Sequence, residues 1–203
     1  LKLFRKNTFL PIESNRLLLR KPQLKDAASY HHILSCTEIC HFSDLPYKPT
    51  FKRSEQFVRW MSKLDSRDIG AAWLICLKTK IEVDRNIGIR TTSDPQSDNA
   101  IIGSIRINSI EKKANCGRLG YELHPSYWGQ GYATEALGVV ISHAYNHLSL
   151  NRLEAWTIDG NDASNRVLLN NGFQYEGMQR EKVLVRDKYQ NVRLFGHLAS
   201  DRY

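Results

Sequence analysis

The stretch Glu122-Leu-His-Pro-Ser-Tyr-Trp-Gly-Gln-Gly-Tyr-Ala-Thr-Glu-Ala136 decides how the chain is read. Tyr121, Glu122 and Leu123 close a run with strand character, and Pro125 and Ser126 break it. Gly129 and Gly131 then make a turn, and residues 134–148 carry helical spacing. The first amides of a helix have no intrahelical acceptor, and the dipole there is positive. Glycines at such a turn let the backbone approach a ligand closely. On its residues alone the segment is either a diphosphate cradle of main-chain N–H groups or an ordinary turn leading into a helix. It is not a nucleotide P-loop, because one residue separates the glycines and no Gly-Lys-Ser/Thr follows. Nor is it the dinucleotide fingerprint, because Thr134 stands where the third glycine is needed.

Upstream, residues 16–20 read as a strand stopped by Pro22, behind an extended arm (1–14) that carries a short strand at most. Residues 26–35 place Ala27, Tyr30, Ile33 and Leu34 at helical spacing, and 53–64 place Phe57, Trp60 and Met61 on one helical face. Residues 72–77 are continuously apolar, as in a strand covered on both faces. Residues 79–99 are polar and read as an insertion with a small hairpin around Ile87-Gly88-Ile89. Residues 101–110 and 116–124 read as a strand pair. Downstream come a strand at 152–158 and a helix at 163–170, closed by Asn171-Gly172 as a left-handed cap. Hairpin arms follow at 178–185 and 192–199, joined by 186–191. The expected class is α/β, a mixed sheet with helices on both faces, in one domain over residues 1–203.

Hydrophobic residues are 41% of the 203, a globular composition with enough chain for a substantial core. No apolar run is long enough to cross a bilayer and no charged-then-apolar leader opens the chain, so a cytoplasmic protein without a membrane partner is expected. The net charge is +8, but the cations are spread along the chain without an aromatic-interleaved stripe. A nucleic-acid partner is therefore not expected, and a small anionic cofactor suits the charge as well. Cys36, Cys40, Cys76 and Cys116 form no zinc-like pairing and read as isolated thiols. His143 and His147, four apart on the helix, read as surface histidines and not as a metal pair.

Tyr127-Trp-Gly-Gln-Gly-Tyr-Ala-Thr-Glu-Ala136, with Gly120-Tyr121 before it and Asn161 to Phe173 after it, resembles the GNAT N-acetyltransferase superfamily. It is most similar to the RimJ/RimL branch of ribosomal-protein N-terminal acetyltransferases, and the resemblance runs from Arg16 to Tyr203. Trp128 stands where that superfamily's coenzyme A loop usually has Gln or Arg.

The resemblance implies a GNAT-type sheet, mixed but mostly antiparallel and flanked by helices. Its strands 116–124 and 152–158 would splay to hold acetyl-coenzyme A. It implies that Gly129, Gln130, Gly131, Tyr132, Ala133 and Thr134 bind the diphosphate, and that Asn161 and more weakly Asn165 bind the pantetheine arm. The Leu123 N–H would polarise the thioester oxygen. Glu122 would take the amine's proton, with Glu154 as runner-up. Many relatives protonate the thiolate with a tyrosine that aligns with Leu168, so Ser164 takes that role here. Capping explains Asn161 and Ser164 as well. No metal is needed. The implied acceptor is a primary amine, a protein N-terminal α-amine such as that of a ribosomal protein. The alternatives are a polyamine or aminoglycoside acceptor, or a non-catalytic coenzyme A-binding module. A homodimer is compatible with the edge of the final hairpin.

Overall fold

The computed structural model describes residues 11–43, 48–78 and 100–202. The expected 79–99 insertion, with its Ile87-Gly88-Ile89 hairpin, and most of the N-terminal arm lie outside the described residues. The elements run β1 (Ile12–Glu13), β2 (Leu17–Arg20), α1 (Ala27–Leu34), α2 (Thr37–His41), α3 (Phe51–Met61), β3 (Ala71–Leu77), β4 (Ile101–Glu111) and β5 (Cys116–Leu123). There follow α4 (Tyr132–Asn146), β6 (Arg152–Ile158), α5 (Asp162–Asn170), β7 (Gln174–Val185) and β8 (Lys188–Leu198). Eight strands form one sheet in the order β1-β2-β3-β4-β5-β6-β8-β7. Every neighbouring pair is antiparallel except β5 and β6, which are parallel. The mixed, helix-flanked sheet read from the sequence is the one observed.

β3 shows why the layers form. Successive side chains of a strand point to opposite faces. Trp73 and Ile75 therefore join the core beneath α4 and α5, with Leu137, Val140 and Leu168. Ala72, Leu74 and Cys76 join a second core beneath α1 and α3, with Tyr30, Ile33, Val58 and Met61. A strand buried on both faces has no polar alternation, which accounts for its unbroken apolar run.

Four features stand out against the sequence reading. α2 was not expected, because its five residues are too few to display a helical period. α4 begins at Tyr132 because Gly131, at φ 79°, turns the chain directly into the helix. The final turn is tight: Val185 pairs with Lys188, and Arg186 and Asp187 both have positive φ (51° and 58°). Two successive left-handed residues match the twist of a two-residue hairpin, so residues 188–191 belong to β8 and not to the connection. β7 also starts earlier than expected, since bulges at Tyr175/Gly177 and Gln179/Val183 hide its alternation.

His143 is not the surface histidine expected. It packs edge-on against Trp73, with ring centroids 5.4 Å apart, and lies beside His147. Burial, reinforced by His147, lowers its pKa from 6.5 to about 4. A group whose pKa falls on folding binds fewer protons in the native state. It costs nothing above pH 6.5 and destabilises the fold as pH drops from there toward 4. Replacing His143 by Gln should flatten the loss of stability between those limits, read as urea midpoints at pH 7, 5.5 and 4.5.

Candidate active site

The sheet opens between β5 and β6. Their parallel pairing is Cys116↔Arg152, Gly117↔Leu153 and Arg118↔Glu154 and goes no further, while β5 continues to Leu123 and β6 to Ile158. On its other edge β5 stays bonded to β4, and the His124 N–H reaches the Ile102 carbonyl at 2.8 Å. Alternate residues of a strand bond to opposite sides. The Leu123 N–H, one residue earlier, therefore points into the gap. The Leu123 carbonyl is claimed by the indole N–H of Trp128 at 2.8 Å. Trp128, which stands where the superfamily's loop usually has Gln or Arg, thus ties the strand end to the loop.

That loop wraps the start of α4. Gly129 and Gly131 have φ of 72° and 79°, a region that disfavours any residue with a Cβ. The Gln130 side-chain amide donates to the Ser126 carbonyl at 2.9 Å and fixes the turn. The N–H groups of residues 129–134 find no acceptor among the described residues, while the Glu135 N–H already bonds to the Gly131 carbonyl. A row of donors at a helix N-terminus suits an anion such as a diphosphate. The structure thus brings Gly129, Gln130, Gly131, Tyr132, Ala133 and Thr134 into one cradle at the mouth of the gap.

Glu122 lies on the face of β5 covered by α1 and α3. Its Oε1 accepts from Arg106 Nη1 at 2.6 Å, from the Ser104 hydroxyl and from the Tyr30 hydroxyl. The Arg106 and Glu122 side chains are only 9% and 10% exposed, and the guanidinium also lies over the Phe57 ring at 5.1 Å. Burial, and then the Glu122 charge, push the Tyr30 phenol well above its ordinary pKa, so it remains a neutral donor. Among the described residues all three contacts fall on Oε1, and Oε2 is open to another proton-bearing group. Glu154 is also paired, with Arg152 at 3.0 Å, and Arg152 in turn holds Glu176.

Ser164 sits in the first turn of α5, on the other face. Its Oγ is 2.7 Å from the Tyr121 hydroxyl, which also donates to the Ser164 carbonyl at 3.2 Å. Burial pushes the Tyr121 phenol up to about 12. Asn161 caps the helix by accepting from the Ser164 N–H at 3.1 Å. Asn165 is buried, accepting from the Thr157 hydroxyl at 2.7 Å and donating to Asp162 at 3.3 Å. Leu168 is fully buried in the core.

A family model described as an acetyltransferase (GNAT) domain matches residues 16–174. The chain belongs to the GNAT acetyltransferases. This family takes its acetyl group from acetyl-coenzyme A, and the GNAT chain described here is an N-acetyltransferase. It is 28% identical over 170 residues to an uncharacterised N-acetyltransferase, YoaA, of Bacillus subtilis (strain 168), covering 84% of this chain and 86% of that one. It is 33% identical over 105 residues to the ribosomal-protein-serine acetyltransferase of Escherichia coli (strain K12), covering 52% of this chain and 59% of the relative. Among solved structures, RimL in complex with coenzyme A superposes with a TM-score of 0.78 at 21% identity, covering 93% of this chain and 98% of that one. The microcin C7 self-immunity acetyltransferase MccE, in complex with acetyl-CoA and AMP, superposes at 0.74 and 18% identity, covering 91% of this chain and 93% of that one. At such identities these two superpositions speak to the fold.

Sequence reading of this GNAT chain missed Arg106, Ser104, Tyr30 and Tyr121. One signal was available: Arg106 is a charge inside an otherwise apolar strand, and such a residue needs a buried partner. Arg106→Met should strip that partner from Glu122 and cost about 3–5 kcal/mol of unfolding free energy. Adding Glu122→Gln should recover much of the loss, and urea denaturation of the single and double variants checks both.

Proposed function

We propose that this chain acetylates a protein N-terminal α-amine, with residues 1–203 forming one acetyltransferase domain. The observation that carries the reading is the opened β5–β6 edge, with, inside it, a Leu123 N–H that has no partner among the described residues and an amide-lined cradle at its mouth. Acetyl-coenzyme A, when bound, supplies an acetyl group activated as a thioester. The splayed edge offers backbone partners to an amide-bearing arm, and residues 129–134 offer donors to its diphosphate. Asn161, at the start of α5, bonds the pantetheine, with Asn165 holding that helix start to β6. The Leu123 N–H holds the charge that develops on the acetyl oxygen. Glu122 takes the amine's proton at Oε2, directly or through one water. Tyr121 donates its one proton to the Ser164 carbonyl, and the Ser164 hydroxyl beside it can turn its own proton from the Tyr121 oxygen to the departing sulfur.

The choice of acceptor is supported by the ribosomal-protein relative and by the shape of the surface beside the gap. A groove of about 340 Å³ begins at Arg118 and Glu154, the last paired residues, and runs across β6 and β8 to β7. Its lining carries Arg118, Arg152 and Lys182 together with Glu154 and Glu176, and includes Trp156. A polyamine needs a predominantly acidic site. A mixed groove suits a peptide with its own polar backbone. The four cysteines are all free, which accords with action in the cytoplasm. Among the described residues no helix is long and apolar enough to cross a membrane. The same reading includes a homodimer, since the edge strand β7 exposes Tyr175, Met178 and Leu184.

The test is release of coenzyme A with a panel of peptides of differing first residue, alongside spermine and an aminoglycoside. Peptide turnover is expected, with Glu122→Gln lowering kcat about 100-fold or more and Ser164→Ala lowering it about tenfold. Turnover confined to the small amines would replace the peptide acceptor. Cofactor binding without turnover of any amine would overturn the catalytic assignments.

A further inference from the structure

Arg16 lies far in sequence from the cradle and yet touches it at three consecutive residues. Its Nη1 donates to the Gln130 carbonyl at 2.9 Å. Its Nη2 lies 3.4 Å from where a Cβ would stand on Gly131. Its guanidinium carbon is 4.3 Å from the centroid of the Tyr132 ring. The remaining donor, Nε, binds Glu135 Oε2 at 2.6 Å. Glu135 is held from two more sides, since its Oε1 accepts from the Arg16 N–H at 2.8 Å and from the Ser14 hydroxyl at 2.7 Å.

The placement of Glu135 poses an electrostatic problem. It stands in the first turn of α4, the helix whose free amides line the cradle. A carboxylate there stabilises the helix, because it meets the positive end of the dipole. It also opposes a second anion drawn to that same end. Burial pushes its carboxyl up, but the Arg16 N–H, the Ser14 hydroxyl and the guanidinium outweigh burial and hold it below the usual carboxylate range. The side chain is therefore charged near neutrality. With Arg16 in place, the negative charge is met by a positive one that also borders Gln130, Gly131 and Tyr132. Nη2 has no hydrogen-bond acceptor among the described residues, and the Arg16 side chain is 42% exposed.

We infer that Arg16 is part of the coenzyme A site: it cancels the charge of Glu135 at the diphosphate cradle and presents its free guanidinium edge, Nη2, to the anion. The inference rests on the reading of residues 129–134 as that cradle. It differs from a purely mechanical clasp in one respect. A clasp is broken equally by removing either partner. Charge cancellation makes the two removals unequal, because loss of Arg16 exposes an opposing carboxylate whereas loss of the Glu135 charge exposes a cation.

The experiment is calorimetric titration with coenzyme A of the wild type, Arg16→Met, Glu135→Gln and the double variant, at low salt. Arg16→Met should weaken binding roughly tenfold, the scale of one poorly screened charge pair near a surface. Glu135→Gln keeps an oxygen for Ser14 and for the Arg16 N–H, and should bind as tightly as the wild type or more so. The double variant should bind more tightly than Arg16→Met. Raising the salt should shrink the differences, as for any exposed charge effect.

Equal weakening by Arg16→Met and Glu135→Gln, with no recovery in the double variant, would reduce Arg16 to a clasp and overturn the inference. So would an unchanged affinity in Arg16→Met. If Arg16→Met does not fold, Glu135→Gln alone decides, since weaker binding by it contradicts charge cancellation. Gly131→Val separates the two levels. If it too leaves coenzyme A binding intact, the cradle reading itself fails. If it abolishes binding while Arg16→Met does not, only the role of Arg16 fails.

Discussion

The parallel pairing of β5 with β6 stops after Arg118↔Glu154, and the rest of the site follows from that stop. Unpaired backbone groups in a sheet interior are costly, and folded chains rarely leave them without partners. Here each strand is secured on its far edge, β5 by β4 and β6 along its whole length by β8. The two can diverge without losing their places. The carbonyl at the end of β5 is taken by Trp128, and the amide beside it remains for a ligand. An opening of this kind offers backbone partners to one more strand-like chain. An amide-bearing cofactor is shaped to fill it.

The charges on either side of the opening are handled in two different ways. On the α1/α3 face Glu122 and Arg106 are buried together, with Ser104 and Tyr30 completing the network. Burying such a pair returns little stability by itself, because desolvation offsets the attraction. What it confers is position: the carboxylate is held by three donors at the strand end where an amine would arrive. At the cradle, Arg16 and Glu135 are nearer to solvent, where the pair adds less energy and its sign matters more than its strength. The groove over β6 and β8 continues the pattern, with Arg152 between Glu154 and Glu176.

Much of this was legible in the residues, and each miss has its own physical cause. The strands 72–77 and 152–158, the helix beginning near Thr134 and the left-handed Gly172 follow from local spacing and turn chemistry, which a single stretch of chain contains. α2 is too short to have a period, and β7 is bulged so that its period is broken. The two-residue turn at Arg186 and Asp187 lacks the glycine that usually marks one. His143 looked like a surface residue because its burial comes from Trp73, some seventy positions away and on a different element.

By itself the sequence determined the class of fold, the place of the glycine turn before α4 and the family, because each depends on residues close together in the chain. A glycine turn before a helix start, a strand before it and a capped helix after it are local facts of backbone geometry. Only the tertiary structure decided which side chains meet. It brought Arg106 and Tyr30 to Glu122, Tyr121 to Ser164, and Arg16 to Glu135 across 119 positions. These contacts depend on strand register and on how helices pack across a sheet. Long-range pairing is set by the whole hydrophobic pattern at once, and no single window of the chain records it.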